Sequence, residues 1–200
     1  KNKIFSLFEK TRLRSLKISE NLSNEDMCLQ SMEDASPIKW HLGHTSWFFE
    51  EFVIKKVKSD FKSPDPRFNY LFNSYYVQAG PRYQRSQRGL ISKPDVKEVL
   101  NYRKMIDEMV INLMEKQNAP FEMIELGCHH EMQHQELMLT DLLHALSFNP
   151  LRPKYIENKK NKNDQVDTRW VDFEGGVKNV GHDGQGFSYD CEQPQHQTMI

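Results

Sequence analysis

The stretch FEMIELGCHHEMQHQELMLTDLLHAL, residues 121–146, decides how the rest of this sequence is interpreted. It is rich in residues that favour helices, contains a single Gly and no Pro, and directly follows Pro120. That composition predicts one long helix with a proline at its start. His130 and His134 are four residues apart, so their side chains lie one turn above each other, about 5–6 Å apart. Both imidazoles can therefore bind one metal ion.

Three interpretations of this histidine pair follow from the residues alone. In the first, both are hydrogen-bonded histidines of a packed helix face. In the second, H-E-x-x-H is the helix motif of a zinc peptidase, with Glu131 as the general base. In the third, the pair belongs to another kind of metal site, whose third ligand comes from elsewhere in the chain. The longer peptidase motif needs a Gly and a further His soon after His134, and QELMLTD supplies neither.

Candidate third ligands lie on a helix predicted to begin at Ser36-Pro37, where a capping residue precedes a proline. This helix is predicted to run to about Lys56, and it carries His41 and His44 among aromatic residues. A histidine in such surroundings is more often a structural hydrogen-bonding group than a ligand. Because a ready-made pair exists on the other helix, one of these two is the natural third ligand. Spacing does not decide which.

Two further segments complete a set of four substantial helices. Residues 5–18 alternate apolar and basic positions as an amphipathic helix does, and a short helix start follows at Ser23. Another helix is predicted to start at Ser92-Lys93-Pro94, with apolar positions as far as Leu113. Four helices with modest connections predict a mainly α chain folded as an antiparallel bundle.

Three arginines, Arg82, Arg85 and Arg88, recur every third residue in a loop after the aromatic run NYLFNSYY. Such a run is usually a solvated surface. Its functional interpretation is a carboxylate clamp, because a guanidinium group binds a carboxylate through two parallel hydrogen bonds.

The composition changes after Asn149-Pro150, where a polar linker leads to short strand-like pieces separated by glycines. We assign residues 1–155 to a helical metal-binding domain, 156–167 to a linker and 168–200 to the start of a β-rich domain. Because the sequence opens on Lys1 rather than Met and stops inside the second domain, we expect a fragment of a longer protein.

The overall composition narrows the possible partners. A formal net charge of −1, with 28% charged and 38% hydrophobic residues, is typical of a soluble globular protein. The sequence has no excess of basic residues of the kind that binds nucleic acid, and no apolar run is long enough to cross a membrane. Three cysteines without metal-type spacing suit a reducing compartment, so we expect a cytoplasmic protein without nucleic-acid or membrane partners.

Several stretches together resemble a known family, the iron(II)-dependent sulfoxide synthases of ergothioneine biosynthesis, with the ovothiol-pathway enzymes as close relatives. In family order they are SPIKWHLGHTSWFFEEF, NYLFNSYY, RSQRGLISKP, HHEMQHQELMLTDLLHALSFNPLRP and the glycine-rich segment that contains DCEQPQH. The resemblance implies a DinB-like four-helix bundle, followed by a C-type-lectin-like domain related to formylglycine-generating enzyme. This chain would hold only the truncated start of that second domain.

The same resemblance implies a set of metal ligands. It assigns the iron to His44, His130 and His134, and leaves His41 in a supporting or packing role. Three neutral imidazoles suit Fe(II) and leave coordination positions open for substrate and O₂.

The resemblance also implies residues that act on the substrates. Tyr75 or Tyr76 would donate a proton near the iron-bound oxygen. The carboxylate of the sulfur donor would lie near Arg85, with Arg82 and Arg88 in the same loop.

The implied reaction is catalysed by a non-haem iron enzyme that uses O₂ as a co-substrate. It joins the sulfur of cysteine or γ-glutamyl-cysteine to the imidazole carbon of trimethylhistidine (hercynine) and delivers a sulfoxide. Three alternatives stay open: an ovothiol-type 5-histidylcysteine sulfoxide synthase, which takes plain histidine, a zinc peptidase, and a metal-binding bundle without activity. We expect the fragment alone to be inactive, because it lacks most of the domain that would hold the trimethylammonium group.

Overall fold

The chain forms two compact units, Lys1–Ile156 and Glu157–Ile200. The computed structural model describes residues 2–74, 80–157 and 168–200. The first unit is helical and the second holds a short sheet, so the prediction of a mainly α chain is confirmed.

Within its described residues the first unit contains six α-helices. Their bounds are α1 Asn2–Ser19, α2 Ile38–Phe49, α3 Lys55–Val57, α4 Phe68–Phe72, α5 Val96–Glu115 and α6 Phe121–Ser147. A π-helical segment, Glu50–Ile54, joins α2 to α3, and 3₁₀ turns lie at Asp26–Cys28 and Arg85–Leu90. None of the described helices has both the length and the apolar character needed to cross a membrane.

Helices α1, α2, α5 and α6 form the bundle. Helix α6 packs on α1 and α2, and α2 also packs on α5. The core between them is built from fully buried apolar side chains on every helix, such as Phe8, Trp47, Ile106 and Ile124. Burying each such side chain contributes roughly 1.5–3 kcal/mol, so the apolar stripes account for the helix pairing.

The close approach of α6 to α2 depends on Gly127. A Cβ atom at this position would lie 2.6 Å from Cε1 of Phe49 and 3.0 Å from Cε1 of Phe48. Both phenylalanine rings are almost fully buried and have little room to move. The absence of a side chain at Gly127 therefore brings α6 near enough to α2 for histidines of the two helices to meet.

Two predicted helix starts are wrong in position. Helix α5 begins at Val96 rather than at Ser92, because Asp95 and Glu98 form a capping box. The Asp95 carboxylate accepts the Glu98 N–H at 2.8 Å, and the Glu98 carboxylate accepts the Asp95 N–H at 2.6 Å. Ser23 accepts the N–H of Asp26 at 3.1 Å, but it starts only a 3₁₀ turn.

The second unit contains two antiparallel strands, β1 Val177–Val180 and β2 His196–Met199. Val177 pairs with Met199 and Val180 pairs with His196. None of the described residues 168–200 is buried, so this unit has no hydrophobic core within them.

We expect Gly127→Ala to lower the free energy of unfolding. Forcing a methyl group into a packed interface costs about 1–3 kcal/mol, which outweighs the roughly 1 kcal/mol by which Ala favours a helix. Chemical denaturation measures the change. Lys104→Ala on exposed α5 surface is the control, expected within about 0.5 kcal/mol of the parent. A Gly127→Ala protein more stable than its parent would show that the two helices separate easily.

Candidate metal centre

Three histidines from two helices meet in a cavity beside α2 and α6. His44 lies on α2, His130 and His134 lie on α6, and one ring nitrogen from each falls within 4.8 Å of the others. The Nε2 atoms of His44 and His130 are 3.2 Å apart. Imidazole nitrogens bound to one ion at about 2.0–2.1 Å are separated by roughly 3 Å, so this donor set fits a metal. The sequence-predicted ligands are thus brought together.

All three imidazoles are neutral in this environment. Burial, with smaller contributions from neighbouring imidazoles, lowers the pKa of His44 and of His134 well below the usual range. Burial lowers the pKa of His130 to about 4. A neutral imidazole keeps a lone pair on one ring nitrogen, so the cluster offers lone pairs rather than charge at neutral pH.

The ring of His44 is held in one orientation. Its Nδ1–H donates to the carbonyl oxygen of Phe72 at 2.5 Å, at the end of α4. The Trp40 ring stacks on it with 4.6 Å between centroids and 11° between planes. The lone pair of His44 therefore lies on Nε2, the atom that faces His130.

His41 lies beside the cluster rather than in it. Its Nδ1 is 2.9 Å from Nδ1 of His134, and its Nε2 is 3.2 Å from a carboxylate oxygen of Asp141. Spacing had left the choice between His41 and His44 open. The structure places His44 with the pair on α6 and gives His41 contacts to His134 and Asp141.

Glu131 faces away from the three histidines. Its carboxylate accepts hydrogen bonds from Arg12 at 2.8 Å, and from Arg103 and Ser15 at 2.5 Å each. Burial alone would raise the pKa of Glu131, but the charges of Arg103 and Arg12 outweigh it and lower the pKa to about 2. A carboxylate so held does not lie at a metal-bound water, so the structure gives no support to the peptidase general base.

Two of the three predicted arginines line the cavity of the histidines. This cavity has a volume of about 750 Å³, in the range of small-molecule sites. Its lining residues are Ser36, Trp40, His41, His44, Ser74, Arg85, Arg88, His130, Gln133, His134, Glu136, Leu137 and Thr140. Arg82 lines a neighbouring cavity of about 470 Å³, which Arg85 and Arg88 also border.

The two arginines in the histidine cavity differ in burial. Arg88 is buried, donates to the hydroxyls of Ser36 and Ser74, and lies 3.3 Å over the Trp40 ring. Arg85 is half-buried and faces the cavity from the loop. Arg88 therefore forms a buried positive wall of the cavity, and Arg85 is the more accessible of the two to a ligand.

The predicted proton donors, Tyr75 and Tyr76, lie outside the described residues. Ser74, which immediately precedes them, lines the cavity of the histidines.

Sequence reasoning missed the partners that hold the site. Asp141 follows His134 by seven residues, which is two helical turns, so its spacing puts it on the same helix face but does not identify its partner on α2. Arg12 and Arg103 gave no such signal, because they lie 119 and 28 residues from Glu131 in the chain.

The comparison with known families agrees with the helical fold of the first unit. The sequence profile of the DinB superfamily matches residues 7–138, about two thirds of the chain. No curated protein matches the chain.

We expect Glu131→Gln to destabilise the fold by about 3–5 kcal/mol, because it removes the negative charge between two buried guanidinium groups. Urea denaturation measures the loss. Glu136→Gln, the same change at an exposed position of α6, is expected to stay within about 0.5 kcal/mol of the parent. A stable Glu131→Gln protein that had lost peptide cleavage would instead support a peptidase.

Proposed function

The chain belongs to the DinB superfamily, and from that membership we propose that its three-histidine cavity holds Fe(II) for an oxygen-dependent sulfoxide synthase. The observation that carries the proposal is the convergence of His44, His130 and His134 in a cavity that Arg85 and Arg88 also line. The resemblance of five sequence stretches to the sulfoxide synthases of ergothioneine biosynthesis selects this reaction among those a three-histidine site supports.

The donor set is compatible with Fe(II) and leaves coordination positions of the ion open. Imidazole suits Fe, Cu, Ni and Zn, and three neutral ligands leave the charge of a divalent ion uncompensated. When bound, Fe(II) would supply the electrons and open positions needed to activate O₂. A substrate thiolate would offset part of its charge.

The charge of the cavity favours an anionic ligand. Among the described lining residues, Glu136 is the only carboxylate, and it is exposed. Arg85 and Arg88 supply two positive charges. A thiol that also carries a carboxylate, such as cysteine or γ-glutamyl-cysteine, meets both requirements, with its carboxylate at Arg85 and its sulfur toward the histidines.

The proposed reaction balances without an external reductant. A thiol R–SH, an imidazole C–H and O₂ give a carbon–sulfur bond, an S=O group and water. One oxygen atom enters the sulfoxide, and the other leaves as water with the hydrogens of the S–H and C–H bonds.

Tyr75 or Tyr76 is the proposed proton donor for this reaction. A phenol has a pKa near 10 and stays protonated at neutral pH, so it can donate a proton to a developing oxyanion. Both residues follow Ser74, which lines the cavity.

The remaining assignments complete the proposal. The proposed domain plan has three parts: a bundle at residues 1–155, a linker at 156–167 and, at 168–200, the start of a domain related to formylglycine-generating enzyme. That second domain would bind the trimethylammonium group, and the cytoplasm is the proposed compartment.

The proposal is tested on the intact protein, loaded anaerobically with Fe(II) and then exposed to ¹⁸O₂. Cysteine and γ-glutamyl-cysteine are each combined with histidine and with trimethylhistidine, and products are identified by mass spectrometry. We expect a sulfoxide carrying one ¹⁸O atom with trimethylhistidine, and its loss in His44→Ala together with loss of bound iron. Product from histidine alone would assign the ovothiol-type reaction. Iron binding without product from any pair would leave a binding bundle.

Arg85→Gln tests the carboxylate site. Losing a hydrogen bond to a charged group costs about 1.5–3 kcal/mol, so we expect the KM for the thiol to rise on the order of 10- to 100-fold. Iron affinity should not change, because Arg85 is not a ligand. Arg67→Gln, whose guanidinium is exposed and paired with Asp65, is the control and should leave KM unchanged. An unaltered KM in Arg85→Gln would place the carboxylate elsewhere.

A further inference from the structure

A chain of hydrogen bonds runs from Asp141 of α6 through His41 of α2 and back to His134 of α6. Oδ2 of Asp141 lies 3.2 Å from Nε2 of His41, and Nδ1 of His41 lies 2.9 Å from Nδ1 of His134. The same carboxylate oxygen accepts the backbone N–H of Ser36 at 2.8 Å. His41 is 2% exposed and Asp141 is 8% exposed, so bulk water does not compete for these bonds.

The carboxylate of Asp141, at the end of this row of hydrogen bonds, determines which ring nitrogens of His41 and His134 carry protons. An ionised carboxylate only accepts hydrogen bonds, so Nε2 of His41 carries the proton. A neutral imidazole has one N–H, which makes Nδ1 of His41 an acceptor. The N–H at Nδ1 of His134 then donates to it, and the lone pair of His134 lies on Nε2.

We propose that Asp141 and His41 form a positioning relay that holds His134 in the tautomer able to bind a metal through Nε2. The inference rests on the metal site of the proposed function, but not on the reaction carried out there. The carbonyl of Phe72 performs the same task for His44 by accepting its Nδ1–H.

The helix geometry explains why a histidine stands between the carboxylate and the ligand. Asp141 and His134 lie on one face of α6, but seven residues separate them by about 10.5 Å along the helix axis. That distance is too long for a direct hydrogen bond. His41 spans it from α2, so the orientation of a ligand on α6 depends on the packing of α2 against α6.

Two measurements test the relay. The first is the ¹H–¹⁵N spectrum of histidine ring nitrogens in the metal-free chain, which reports which nitrogen carries the proton. The second is the affinity for Co(II), measured by competition with a chelator. Both are applied to the parent chain, His41→Leu, His41→Asn, and His144→Leu as the control. His144 lies on α6, the helix that carries His134. Its Nδ1 is hydrogen-bonded to the hydroxyl of Ser31, outside the cavity.

We expect His134 to be protonated at Nδ1 in the parent chain. Removing the acceptor in His41→Leu should disturb this tautomer and weaken Co(II) binding about 10- to 100-fold, the usual cost of losing the partner of a ligating histidine. In His41→Asn the amide oxygen can replace Nδ1 as acceptor, so most of the affinity should return. His144→Leu should bind Co(II) like the parent.

Three results would overturn the relay: a parent His134 protonated at Nε2, a His41→Leu chain with parental tautomer and affinity, or His41→Asn as impaired as His41→Leu. If His41→Leu does not fold, the spectrum of the parent and the behaviour of His41→Asn test the relay.

A parent chain that binds no Co(II) would refute the metal site, while the ring-nitrogen spectrum would still test the relay. A parent that binds Co(II) and makes no sulfoxide leaves the relay supported and rejects the reaction.

Discussion

The buried carboxylate of Glu131 is the interaction on which the arrangement of the site depends. It lies between Arg12 of α1 and Arg103 of α5, and these guanidinium groups also reach Ser46 and Thr45 of α2. The network therefore connects all four helices of the bundle through one residue of α6. Because Glu131 can satisfy both arginines in only one rotation of α6, the neighbouring face, with its two histidines, is turned toward the cavity.

Sequence alone predicted the features that depend on local spacing. The pair on α6 and the start of that helix follow from a 3.6-residue period and one proline, and both agree with the structure. The start of α5 was misplaced because a Ser-x-Pro signal precedes a stronger capping box at Asp95 by three residues. The ion network and the bond from His41 to Asp141 depend on contacts between distant segments, which no local pattern encodes.

The histidines are oriented by the protein itself. For two of the three rings, the hydrogen bond that fixes the ring is made to a group on another element: the carbonyl of Phe72 at the end of α4 for His44, and a side chain of α2 for His134. Three imidazoles gathered in one cavity have lost much of their hydration, so the fold must offset this cost. The close packing of α2 and α6 at Gly127 and the apolar core beneath it supply that stabilisation.

The letters H-E-x-x-H are therefore compatible with two chemistries, and tertiary contacts decide between them. In a peptidase the glutamate acts on a metal-bound water, so it must face the same cavity as the histidines. Adjacent helix residues point about 100° apart, which lets Glu131 lie on the metal side or on the core side of α6. Here two arginines bind it on the core side. The charges of the arginines hold Glu131 in this orientation and lower its basicity, so Glu131 does not serve the histidines as a base.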